Sequence, residues 1–95
     1  MLSLASIEEV CEAKRITLVM HPAIRRALKP YGESFYVGAC CFLRGETNGL
    51  YFLPLDRGDY VRLRFSKWQS PGGHMILRID PLTSEGLEQI KRALR

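Results

Sequence analysis

Between residues 57 and 79 the chain carries Arg57, Arg62, Arg64, Lys67 and Arg78 against one carboxylate, Asp59. Within the same stretch lie Tyr60 and Trp68. Guanidinium groups offer a planar donor fork to phosphate or carboxylate oxygens, and lysine adds a point charge. Aromatic rings stack on unpaired bases, at about 1–3 kcal/mol per base. If residues 60–68 form a strand, period-two alternation sets Val61, Leu63 and Phe65 on a core face. Tyr60, Arg62, Arg64, Ser66 and Trp68 then share the other face. On a partner strand over 74–79, Met75, Leu77 and Ile79 belong to the core, and His74, Ile76 and Arg78 join the arginines. The candidate binding set is therefore Tyr60, Arg62, Arg64, Lys67, Trp68, His74 and Arg78.

Two other chemistries use the same residues. Arginine and aromatic side chains dominate protein–protein hot spots, so the ribbon equally suits an acidic protein surface. Arginine against an aromatic ring is also a local cation–π contact of about 0.5–1 kcal/mol, with no partner needed. A third reading is catalytic: a metal-independent ribonuclease with His74 as general base and Arg62, Arg64 or Arg78 stabilising developing charge. No second histidine or acid is evident to complete that set.

Elsewhere the chemistry is sparse. Cys11, Cys40 and Cys41 are an odd number and make no disulfide framework, so they are expected to be reduced core thiols of a cytoplasmic protein. Cys40 and Cys41, read as strand neighbours, point to opposite faces and do not bridge. No pair of Cys or His has zinc-finger spacing, and no P-loop, dinucleotide fingerprint or nucleophile elbow occurs. No metal or cofactor is expected. His21 precedes Pro22 and reads as a capping residue. Arg57-Gly58-Asp59 spells an adhesion tripeptide but sits in good turn chemistry.

The local excess accounts for the whole formal charge of +4, because residues 1–56 and 80–95 each balance. With 95 residues, 46% apolar and 25% charged, the chain has the make-up of one folded domain, 1–95, and not of a disordered segment. The longest apolar run, Phe35 to Leu43, is too short to span a bilayer. Met1 to Ala5 lacks a basic region, so neither secretion nor membrane insertion is expected.

The elements that would position the ribbon follow from periodicity. Ser6-Ile7-Glu8-Glu9 fits a capping box opening a helix over 7–15. Ile16 to Met20 reads as a strand, and Pro22 opens a short helix over 22–29 that Pro30-Tyr31-Gly32 ends. Phe35 to Leu43, apolar on both alternating faces, reads as a central strand, joined by the turn at 45–49 to a strand over 50–53. Strands over 60–68 and 74–79 follow. A last helix, started by Asp80-Pro81 or Thr83-Ser84, buries Leu87, Ile90 and Leu94. The fold expected is α+β: an antiparallel meander of four to five strands with N- and C-terminal helices on one face. The function expected is a non-enzymatic binding module whose 57–79 ribbon contacts nucleic acid. The alternative is an inhibitor or adaptor docking on a larger protein or nucleoprotein complex, for which small phage- or mobile-element-encoded inhibitors offer an analogy of size.

Overall fold

The computed structural model describes residues 4–95, with side chains from residue 7 onward. In chain order the elements are α1 (Leu4–Ala13), β1 (Ile16–Met20), α2 (Pro22–Leu28), α3 (Gly32–Leu43), β2 (Leu50–Pro54), β3 (Tyr60–Gln69), β4 (Met75–Pro81) and α4 (Ser84–Ala93). The strands form one sheet in the order β1-β4-β3-β2. β2, β3 and β4 are successive antiparallel neighbours, and β1 adds to β4 in parallel. The fold is α+β as expected, but the sheet is mixed.

One misread element accounts for most of the difference. Phe35 to Leu43 lies inside α3 and not in a central strand. A run apolar at every position satisfies a helix and a two-sided strand equally well. Three-dimensional placement resolves it: Phe35 and Ala39, one turn apart, are buried against the sheet, whereas Val37 is exposed. The segment 45–49 is accordingly no hairpin. Gly45, at φ +76°, ends α3 in a Schellman arrangement, its N–H on Phe42 C=O and that of Glu46 on Cys41 C=O, both at 2.9 Å. Gly49, at φ +84°, leads into β2 beneath the Phe42 ring, where a Cβ would approach a ring carbon to 2.9 Å.

The other boundaries have local causes. Pro22 occupies the first turn of α2, and His21 Nδ1 caps it by accepting from the Ala23 N–H at 3.0 Å. α2 ends at Leu28, ahead of Pro30-Tyr31-Gly32 as expected, but a 3₁₀ turn over Lys29–Tyr31 leads straight into α3. α1 already runs from Leu4, ahead of the expected Ser6 cap, and the Ser6 side chain lies outside the described residues. Of the two possible starts for the last helix, Thr83 is the cap, its Oγ1 accepting from Gly86 N–H at 3.2 Å. Gly86 lets α4 sit directly on the sheet, since a Cβ there would come within 2.9 Å of Pro81 Cβ and 3.2 Å of Val61 Cγ1.

The core lies between the helices and one face of the sheet. Leu53, Val61, Leu63, Phe65, Leu77 and Ile79 meet Ile7, Ile24, Leu28, Phe35 and Ile90 there. Phe65 anchors it, with ring centroids of Phe35 and Phe42 at 5.5 Å and Tyr51 at 6.4 Å. Cys11 is buried, while Cys40 and Cys41 are half-buried neighbours on a helix; all three are free thiols. Burial, with Cys40 close by, raises the Cys11 pKa above its ordinary value. Among the described residues no helix is long and apolar enough to cross a membrane.

Candidate nucleic-acid interface

The helices lie on one side of the sheet, and among the described residues nothing covers the other, which is left bare. Reading the bare face across β1-β4-β3-β2, one row is Thr17, Ile76 and Trp68. The next is Val19, Arg78 and Ser66, followed by Asp80, Arg64 and Leu50. Arg62 with Phe52, then Tyr60 with Pro54, complete it. Ten of these residues are exposed, and only Leu50, Ile76 and Asp80 are half-buried. The three largest rings on it, Trp68, Tyr60 and Phe52, are 59%, 58% and 53% exposed. Large aromatics left this open on a sheet face are the unusual observation, since such residues normally supply core.

The rings sit at the two ends of β3. Tyr60 and Trp68 are eight residues apart, or about 27 Å at strand rise. At one end Tyr60 and Phe52 pack edge to face with centroids 5.3 Å apart. At the other end Trp68 lies across from Ile76, next to His74 and Thr17. Arg62 and Arg64 lie between, on the same side of one strand and about 6.7 Å apart along it. Neither belongs to an ion pair among the described residues. Arg78 is different: its Nε donates to Asp80 Oδ2 at 2.9 Å.

Asp80 thus sharpens the charge picture. It lies just beyond the basic stretch in sequence, yet register places it opposite Arg64 on this face. Three guanidiniums and one carboxylate make the strands of the face +2, weaker than the ribbon's +4.

One expected site residue falls on the opposite face, and another keeps the expected face but lies at its rim. Lys67 has the parity of Val61, Leu63 and Phe65, and its Nζ lies over the Phe42 ring at 5.4 Å on the helical side. It therefore does not join Arg62 and Arg64, because consecutive strand positions point to opposite faces. His74 is on the bare side at the rim, half-buried, with Nε2 hydrogen-bonded to the Thr17 hydroxyl and its N–H donating to Ser70 Oγ at 3.1 Å. Four residues separate it from Arg78, about 13 Å along the strand. The structure therefore does not bring His74 together with the arginines at a reacting centre.

Phe52 and Val19 were missed as members of this surface. Phe52 was legible: Tyr51 and Leu53 are buried, so the alternation applied to residues 60–68 also sends Phe52 outward. Val19 required knowing that β1 pairs with β4. Arg57-Gly58 forms a tight turn at the Tyr60 end, with both residues at positive φ (63° and 79°). Among the described residues no three His, Cys, Asp or Glu side chains converge on a point that could hold a metal ion.

No protein-family model matches this chain, and neither the curated proteins nor the solved structures give a significant match, so these residues and their geometry carry the functional reading.

Proposed function

We propose that the bare sheet face is a binding surface for single-stranded nucleic acid and that the protein acts by binding, without a catalytic step. The observation that supports this is the coincidence, on one uncovered face, of unpaired Arg62 and Arg64 with exposed rings at both ends of their strand. Phosphates along an extended strand would meet the guanidiniums, and bases would stack on Trp68 at one end and Tyr60 or Phe52 at the other. A four-stranded sheet that displays aromatics is a physically suitable platform for splayed bases, because its outward side chains stand up from it.

Trp68 is the chain's single tryptophan, so its fluorescence reports directly on this face. Titration with oligothymidine and oligouridine is expected to quench it saturably, with an affinity that falls as salt rises. Converting Arg62 and Arg64 together to alanine should flatten the log–log salt dependence by about 1.4, at about 0.7 per phosphate contact on single strands. Absence of saturable quenching overturns the proposal.

The corner at Tyr60 favours a second reading. Phe52, Pro54 and Tyr60 surround a shallow, mainly apolar hollow continued by Leu55 and Gly58, with Asp59 at its rim, and Phe52 and Tyr60 already engage each other. Such a corner suits an aromatic or aliphatic anchor from an acidic protein, as for an inhibitor or adaptor. That reading predicts that Phe52→Ala weakens partner binding more than Trp68→Ala does, the reverse of any order set by stacking at the Trp68 end.

A further inference from the structure

The two edges of the sheet are not alike. β2, at one edge, ends at Pro54, which has no N–H to offer another strand. β1, at the other edge, is Ile16-Thr17-Leu18-Val19-Met20, with no charge, proline or glycine. Edges of this kind are normally blunted by charge, proline or a bulge, because their unpaired backbone groups template a further strand.

Its free backbone groups can be assigned. The Arg15 carbonyl accepts from the Met75 N–H at 3.2 Å, so this carbonyl faces β4 and the Ile16 N–H, across the same trans peptide, faces away. In a strand, each residue's N–H and C=O point to the same side, and successive residues alternate. Thr17 and Val19 therefore also face β4, whereas the N–H and C=O groups of Ile16, Leu18 and Met20 face outward. No backbone bond to these outward groups occurs among the described residues.

A groove of about 310 Å³ runs along this edge. Ile16, Thr17 and Leu18 form its strand side and Glu8, Cys11 and Glu12 its helical wall, with Arg15 and His74 at its end. Glu8 is occupied by Arg25, 2.6 Å away. Glu12 belongs to no ion pair among the described residues, and neither does Arg15 at the groove's end.

We propose that the free edge of β1 takes up an extended segment of a partner protein as a fifth strand, seated beside α1, with a basic side chain of that segment meeting Glu12. Backbone pairing to Ile16, Leu18 and Met20 supplies sequence-independent affinity, and the helical wall supplies selectivity, the division of labour found wherever a peptide extends a sheet. Charge argues for a partner rather than a second copy. The β1 strand of another copy is uncharged and would leave Glu12 without a counter-charge. This surface lies around the edge from the arginine face, meets it only at Thr17 and His74, and does not rest on that face's reading.

The test uses two capped six-residue peptides, one alternating valine and lysine, the other valine and glutamate, titrated into the ¹⁵N-labelled protein. The lysine peptide is expected to shift the Ile16, Leu18 and Met20 amides saturably and slow their hydrogen exchange. Thr17 and Val19, whose amides already bond β4, should shift less than these three. The glutamate peptide should bind about fivefold more weakly, the scale of a solvent-exposed ion pair, and Glu12→Gln should abolish most of that difference. Unchanged Ile16, Leu18 and Met20 amides, or equal binding of both peptides, overturn the proposal. So does concentration-dependent dimerisation that protects these amides without peptide, because it gives the edge to a second copy.

Discussion

The two faces of β3 are built from one ten-residue strand, yet they are constructed on opposite principles. On the helical face Val61, Leu63 and Phe65 are at most 4% exposed and Phe65 touches three other rings. On the bare face Tyr60, Arg62, Arg64, Ser66 and Trp68 are all exposed. Because side chains alternate, one strand serves both without compromise: the inner face supplies stability and the outer face is free to vary. Aromatic content alone does not distinguish the two, since rings occur on both. Exposure does: Phe35 and Phe65 are at most 3% exposed, whereas Trp68, Tyr60 and Phe52 are each more than half exposed, although Tyr60 and Phe52 touch each other and Trp68 faces Ile76.

This contrast is open to direct attack. The largest effect is expected from Phe65→Ala, which should cost about 3–5 kcal/mol in chemical denaturation through lost burial and the cavity left behind. Trp68→Ala should alter stability by no more than about 0.5 kcal/mol. Under the nucleic-acid proposal it should weaken oligonucleotide binding by about 1–3 kcal/mol, read by anisotropy of a labelled strand. A Trp68 variant as unstable as the Phe65 variant would erase the distinction between the faces. Next, Thr83→Ala removes the α4 cap on the helical side and should cost about 1 kcal/mol in stability while leaving binding unchanged. The smallest stability change is expected from Asp80→Asn. Its pair with Arg78 is more than a third exposed on both sides and so contributes at most about 0.5 kcal/mol after solvent screening. Its signature lies instead in binding: freeing Arg78 should steepen the salt dependence by up to about 0.7.

The bare face was the more legible of the two, because period-two alternation in residues 60–68 needs no tertiary information. Val61, Leu63 and Phe65 fall inside, and Tyr60 and Trp68 outside, where that pattern sends them. The helical face was harder. Phe35–Leu43 is apolar throughout, and no polar position reveals which period applies; its burial at Phe35 and Ala39 is a property of packing, not of the segment. Treating it as a strand also concealed the parallel partner of β4, since β1 pairs across more than half of the chain. Lys67 was assigned by its charge and not by its parity, and parity decided its face. Asp80 shows the reverse error: a boundary drawn in sequence separated a carboxylate from the arginine it neutralises.

The β1–β4 pairing has a kinetic consequence. Ile16 meets Met75 and Met20 meets Ile79, so every hydrogen bond of this ladder closes a loop of nearly sixty residues. The β2-β3-β4 meander, by contrast, closes through short connections. Ordering a long loop must precede the contacts that reward it, so chain-distant pairings form slowly. The meander should therefore assemble first and β1 dock last, completing the sheet at the edge that also opens first. Local unfolding would then release β1 while Phe65 and its neighbours stay packed. Slow-exchanging amides should concentrate in β3 and β4, with those of Thr17 and Val19 exchanging ahead of them.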